Sequence, residues 1–146
     1  MNQERMKNTR SVKPDNKGFT LLEILIVVVI ISVLAAIAIP GYRDYILKSR
    51  RADAAVALTE IANLQEKFFS DNLTYTTVLC SLPYSAVSPD GYYSLNMPSA
   101  NASGFTARAV PTGEGNQTDD TQCAVFTLNN LGQKASTPSG ANECWR

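Results

Sequence analysis

The chain has 146 residues, with 13 basic and 13 acidic side chains, no histidine and three cysteines. That length holds one globular domain and an added segment; the missing histidine excludes a His-based triad and a His metal site, and neither a Gly-rich phosphate loop nor a Cys-x-x-Cys pair is present. The charge is uneven: residues 1–18 carry Arg5, Lys7, Arg10, Lys13 and Lys17 against Glu4 and Asp15, a net of +3, and the remainder carries −3.

The first predicted element follows at once. From Phe19 to Ile39 the polar residues are Thr20, Glu23 and Ser32 alone. A helix of that length spans a hydrocarbon core of roughly 30 Å. Basic residues flanking such a segment mark the cytoplasmic side, so the remainder is expected across the membrane. Pro40 lacks a backbone donor and clashes with the carbonyl of Ala36, and Gly41 adds backbone freedom, so the helix is expected to kink or loosen there. The run "TLLE" has the form of a capping box, with Thr20 as N-cap and Glu23 at the third helical position. Capping gives Glu23 a local task but does not explain a charge at the edge of a hydrocarbon segment, where it is costly. An ordinary secretory signal peptide is the rival reading, with "AIA" at 36–38 as its cleavage site. Glu23 inside the apolar run and the long basic region before it count against that rival.

The stretch "KGFTLLEILIVVVIISVLAAIAIPGY" resembles the class III leader and N-terminal segment of type IV pilins. The features that match are the basic leader ending in Gly18, then Phe19, then Glu23 as fifth residue after the junction, then Pro40. The resemblance implies that a prepilin peptidase cuts between Gly18 and Phe19 and N-methylates Phe19. It implies three regions: a leader at 1–18, a transmembrane and assembly helix at 19–41, and a globular head at 42–146. In a filament built that way, a buried Glu23 carboxylate costs several kcal/mol unless paired. Its partner is then the new ammonium of Phe19, on the same subunit or on a neighbour, where pairing also fixes the axial stagger.

From Tyr42 to about Asp71, Leu47, Ala54, Leu58, Ile61, Leu64 and Phe68 form one stripe of an amphipathic helix. Lys48, Arg51, Asp53, Glu60 and Lys67 fall largely elsewhere, and Asp44 and Lys48 are spaced to pair. Continuous with the anchor, this helix would run roughly 80 Å. "SDNLTY" ends it, and the segment 72–91 with Pro83, Pro89 and "PDG" reads as turns. Three strands are predicted by alternation: 92–97 through Tyr93, Leu95 and Met97; 105–110 through Phe105, Ala107 and Ala109; and 123–128 through Ala124, Phe126 and Leu128. A short fourth is expected near Gln133–Ser136. The predicted class is α+β: a long N-terminal helix packed on an antiparallel sheet of about four strands.

The tail "CAVFTLNNLGQKASTPSGANECW" resembles the C-terminal disulfide region of the same family, most closely that of PilE-type minor pilins. The resemblance implies a bond between Cys123 and Cys144, closing a loop worth roughly 3 kcal/mol. Cys80 is left as a free thiol, expected to be buried or to link two molecules.

The chain so read is a structural subunit, with no catalytic constellation and no cofactor. The resemblance implies a type IV pilin of the minor kind that primes or sparsely populates a filament serving adhesion, motility or DNA uptake. Its implied partners are other major and minor pilins, the prepilin peptidase, the assembly machinery and the lipid of the bacterial inner membrane, with the assembled pilus outside the cell. A major pilin, a type II secretion pseudopilin and a DNA-binding competence pilin are the alternatives. The pseudopilin reading invites calcium at Glu114, Asp119 and Asp120, but no EF-hand spacing is present and the expectation is no metal. The competence reading needs a basic footprint. Past Arg51 the head offers only Lys67, Arg108, Lys134 and Arg146, with a patch arising if the Arg108 and Lys134 strands are neighbours.

Overall fold

The computed structural model describes residues 18–138 and 140–145. The basic residues of the leader, and Arg146, therefore lie outside the described residues. The chain divides into two compact units, with the boundary between Ala38 and Ile39. One helix, α1 (Leu21–Asn72), contributes to both.

α1 begins where the backbone N–H of Glu23 donates to Thr20 Oγ1 at 3.2 Å, so Thr20 is the N-cap that the sequence proposes. Pro40 does not interrupt the helix; a proline removes one donor, and the turns on either side carry on without it. The helix stops at Leu73, whose φ is +57° and whose N–H bonds to the Phe69 carbonyl at 2.8 Å. The segment "SDNLTY" thus ends the helix as expected, with a left-handed residue closing it.

In the second unit a sheet of four antiparallel strands runs in the order β1-β2-β3-β4. The strands are β1 (Tyr93–Asn101), β2 (Gly104–Pro111), β3 (Cys123–Asn129) and β4 (Lys134–Pro138). A short helix α2 (Ala141–Cys144) follows. Successive strands pair throughout, a meander, because short turns allow antiparallel neighbours only. The inward residues of β1 and β2 are those the alternation picks: Tyr93, Leu95 and Met97, then Phe105, Ala107 and Ala109. In β3 the phase differs from expectation. The register shifts between Cys123 and Val125, so Cys123 joins Phe126 and Leu128 in the core and Ala124 does not. A bulge of this kind breaks strict alternation by one residue.

The core joins the sheet to Ala54, Ala57, Leu58 and Ile61 of α1. Alanines in helix and sheet keep both surfaces low, and the volume is filled by Tyr93 and Phe126, both fully buried. Their rings meet edge to face at 5.6 Å, and Phe126 meets Trp145 in the same way at 5.6 Å. The Cys123–Cys144 disulfide, with Cα atoms 5.7 Å apart, holds the tail carrying Trp145 against β3.

The buried face of α1 is wider than the apolar stripe. Arg51, Asp53 and Gln65 are buried as well, which corrects the outward placement of Arg51 and Asp53. The pair expected between Asp44 and Lys48 is not formed; both are exposed. The reason for the wider face lies in two loops that flank the stripe.

Candidate functional site

The first candidate is the apolar half of α1. Leu21, Leu22 and the run from Ile24 to Ile39 expose their large side chains, and Phe19 is 80% exposed. None of this segment is buried within the chain, and it is long and apolar enough to cross a membrane. Glu23 sits at its start. Its backbone N–H is capped by Thr20, but its carboxylate makes no hydrogen bond or ion pair with any described residue. Half of the capping box is therefore present and the Glu23 side chain is free for another partner.

The second candidate is the polar flank of the head. On one side, α1 holds the segment between α1 and β1. Gln65 makes paired bonds with the backbone of Thr76, accepting its N–H at 3.1 Å and donating to its carbonyl. Tyr75 and Tyr84 donate to Glu66 and Glu60 at 3.0 and 2.6 Å. Asp53 accepts from the Ser88 hydroxyl and from the Asp90 N–H. Burial, and then the bond to the Glu60 carboxylate, push the Tyr84 phenol up. Burial pushes Tyr93 up to about 12. Both phenols therefore stay neutral across the physiological range; Tyr84 donates to Glu60, and Tyr93 accepts from Gln117 Nε2 at 3.0 Å.

On the other side, three arginines hold the loop between β2 and β3. Arg51 makes a two-pronged bond to Asp120, Nε to Oδ2 at 2.7 Å and Nη2 to Oδ1 at 2.8 Å. Arg50 donates to the Gly115 carbonyl and lies 4.4 Å over the Tyr92 ring. Arg43 reaches Asp119 at 3.4 Å on the surface. The loop needs φ of +56° and +60° at Gly115 and Asn116, a conformation glycine and asparagine adopt most readily. Asp119 and Asp120 are thus used on arginines rather than gathered with Glu114. Among the described residues no group of three or more His, Cys, Asp or Glu side chains could hold a metal ion.

Cys80 stands outside the disulfide and is exposed, not buried, because the short turn at Leu79–Ser81 presents it to solvent. Arg108 and Lys134 do not form a patch. Their strands are separated by β3, and Arg108 pairs in register with Thr127 whereas Lys134 pairs with the core residue Leu128. The two therefore belong to opposite faces of the sheet.

A family model described as the prokaryotic N-terminal methylation motif matches residues 13–39. A second, described as type IV minor pilin ComP, DNA uptake sequence receptor, matches residues 40–127 and so covers most of the head. The chain belongs to this type IV pilin family. The pilin is 43% identical over 63 residues to the type IV major pilin protein PilA of Myxococcus xanthus (strain DK1622), a stretch covering 43% of the chain and 29% of that protein. It is 51% identical over 43 residues to the fimbrial protein EcpC of Eikenella corrodens, covering 30% and 28%. The matched stretches thus span less than a third of these relatives. The minor pilin PilV of Neisseria meningitidis has the same fold, with a TM-score of 0.52 at 21% identity over 66% of this pilin and 94% of that chain. Type IV pilins are a family of structural, non-enzymatic proteins.

Proposed function

We propose that this pilin is a minor subunit, sparsely incorporated into a type IV filament after storage in the inner membrane. The observation that carries the reading is the match of the head to a family described as a minor pilin. The exposed apolar helix supplies the part of the chain that other subunits would cover. In this reading the prepilin peptidase cuts between Gly18 and Phe19 and methylates Phe19, and Pro40 lies where the assembly helix passes into the head. The test is mass spectrometry of sheared filaments. The expected result is a chain beginning at N-methylated Phe19, with Cys123 and Cys144 linked and Cys80 free, at a small fraction of the major subunit. A chain beginning at Ile39 would restore the secretory signal, and equal abundance would make it a major pilin.

A second reading, DNA capture during competence, is favoured by the description of the same family as a DNA uptake sequence receptor. On the outward face of the sheet Arg108 lies between Asn96 of β1 and Thr127 of β3. This row of amide, guanidinium and hydroxyl bears no carboxylate. With so few cations, any affinity rests on few phosphate contacts. The full chain in detergent should shift labelled duplex DNA with a shallow salt dependence, a log–log slope of about −2 or less in magnitude, and Arg108→Ala should weaken it. The absence of any shift at low salt would remove the second reading and leave the first intact.

A further inference from the structure

We propose that Asn116, in the loop between β2 and β3, is the acceptor of an asparagine-linked glycan, delivered from a polyprenyl-diphosphate oligosaccharide by a membrane oligosaccharyltransferase. The inference rests on the reading of the chain as a membrane-stored pilin whose head lies outside the cytoplasm, the side on which such carriers meet their transferase.

Three asparagines stand in Asn-x-Ser/Thr runs: Asn72 in "NLT", Asn101 in "NAS" and Asn116 in "NQT". That pattern is the minimal acceptor for such glycans and belongs in a surface loop. Bacterial transferases also read a carboxylate two residues before the asparagine. Of the three runs, "EGNQT" alone supplies one, Glu114; Ser70 and Ser99 hold that place before Asn72 and Asn101. The geometry separates the three in the same way. Asn72 is the last residue of α1, and its Nδ2 donates to the Phe68 carbonyl at 2.9 Å. Asn101 Oδ1 accepts the N–H groups of Ser103 and Gly104 at 2.7 and 3.2 Å. The Asn116 side chain is exposed and has no partner among the described residues, and the same holds for the Glu114 carboxylate and the Thr118 hydroxyl.

Residues two apart in an extended chain point to one face. Glu114, Asn116 and Thr118 would therefore enter an enzyme groove together, the carboxylate giving an ion pair, the hydroxyl a hydrogen bond and the amide the reacting nitrogen. The residues between them are used by the protein instead. The Gly115 carbonyl accepts from Arg50, and Gln117 is fully buried, its Nε2 donating to the Leu47 carbonyl at 3.3 Å. With φ of +56° and +60° at Gly115 and Asn116, the docked loop is not extended, so transfer precedes its docking on α1. Glycine gives the segment the freedom to pass from one form to the other. Once the loop docks, Asn116 lines a basin of about 340 Å³ together with Tyr42, Arg43 and Arg50, which leaves the first sugar room without displacing a core contact.

In the transfer, Asn116 Nδ2 attacks the anomeric carbon of the first sugar. The C–N bond forms as the C–O bond to the diphosphate breaks. Polyprenyl diphosphate leaves with the bonding pair, and the nitrogen gives up one proton to a base of the transferase. Nothing is oxidised or reduced.

The test uses the full chain taken from its native membranes. Tandem mass spectrometry of the tryptic peptide 109–134 should place a glycan on Asn116, with Asn72 and Asn101 bare. Asn116→Gln, whose amide sits one methylene further out, and Thr118→Ala should lose the glycan, whereas Thr118→Ser should keep it. Glu114→Gln should lower occupancy about ten-fold, the loss of one charge-assisted contact. All three positions are exposed, and the Cys123–Cys144 bond in an unreduced digest reports that each variant folds. A bare Asn116 in the native chain, a glycan on Asn72 or Asn101 in its place, or full occupancy in Glu114→Gln would overturn the assignment. Recovery of the chain from sheared filaments tests the pilin reading separately, and a filament subunit with a bare Asn116 removes this inference alone.

Discussion

Arg51→Met should destabilise the head by about 3–5 kcal/mol, and adding Asp120→Leu should restore most of that loss. The Arg51 and Asp120 side chains are only 8% and 4% exposed. Removing the guanidinium strands the Asp120 carboxylate away from water, and that penalty, more than the lost attraction, dominates the single substitution. Replacing both partners by apolar residues of similar size leaves no charge behind. The recovery is incomplete because Asp120 Oδ1 also accepts the Cys123 N–H at 3.3 Å, a bond that fixes the start of β3 and that leucine cannot make. Arg51→Lys should not substitute, since a point-like ammonium cannot span both oxygens. Urea unfolding followed by the fluorescence of Trp145, the single tryptophan, measures each variant. A loss under about 1 kcal/mol for Arg51→Met, or a double variant less stable than the single one, would show that the pair does not hold the loop in this way.

The alternations that place Tyr93, Leu95, Met97, Phe105, Ala107 and Ala109 inward were legible because they depend on the pleat of a single strand. The phase of β3 was not, since its bulge arises from pairing with β4. The helix shows the limit more sharply. Leu47, Arg51, Ala54, Leu58, Ile61, Gln65 and Phe68 follow alternating steps of four and three, so helical geometry alone places Arg51 and Gln65 on the inward stripe. Residue type argued the opposite, and geometry prevailed because each polar group found a partner. Those partners lie 69 residues away for Arg51 and 11 for Gln65. Asp53 is buried by Ser88, 35 residues on. Polarity is a sound guide to exposure only where no distant loop returns to satisfy the group. The signal available was the coincidence of a polar residue with the stripe, together with "DD" at 119–120 in the loop that meets Arg51. The buried alternative for the free thiol of Cys80 fails for the opposite reason: free cysteines are most often buried, and nothing local reveals that a turn lifts this one into solvent.

Glu23→Gln should leave the pilin stable and held in the membrane but absent or strongly depleted from sheared filaments. Two roles compete for Glu23, and the structure separates them. As a capping residue it would use its side chain on the Thr20 N–H, but the bond present runs from the Glu23 backbone N–H to Thr20 Oγ1, which glutamine retains. The substitution therefore tests the charge with the helix start unchanged. If cleavage after Gly18 creates an ammonium on Phe19, that group lies one turn from Glu23 along the chain, and the Phe19 of a neighbouring subunit is the alternative partner. Packing apolar helices removes water from both charges. An unpaired ammonium there costs about 3–5 kcal/mol, which is about two to four orders of magnitude in incorporation. Methylation leaves the amine cationic, so the pair survives that step. Insertion into the bilayer improves when a carboxylate leaves the apolar segment, so membrane retention and filament exclusion should part company in the same cells. Glu23→Asp separates the roles further: it keeps the charge but shortens the reach, and should incorporate better than Glu23→Gln. Equal amounts of wild type and Glu23→Gln in one filament preparation would leave the charge without an assembly role. A subunit confined to a filament tip has fewer neighbours, and partial depletion of Glu23→Gln, with loss from the shaft but not from the tip, would place it there.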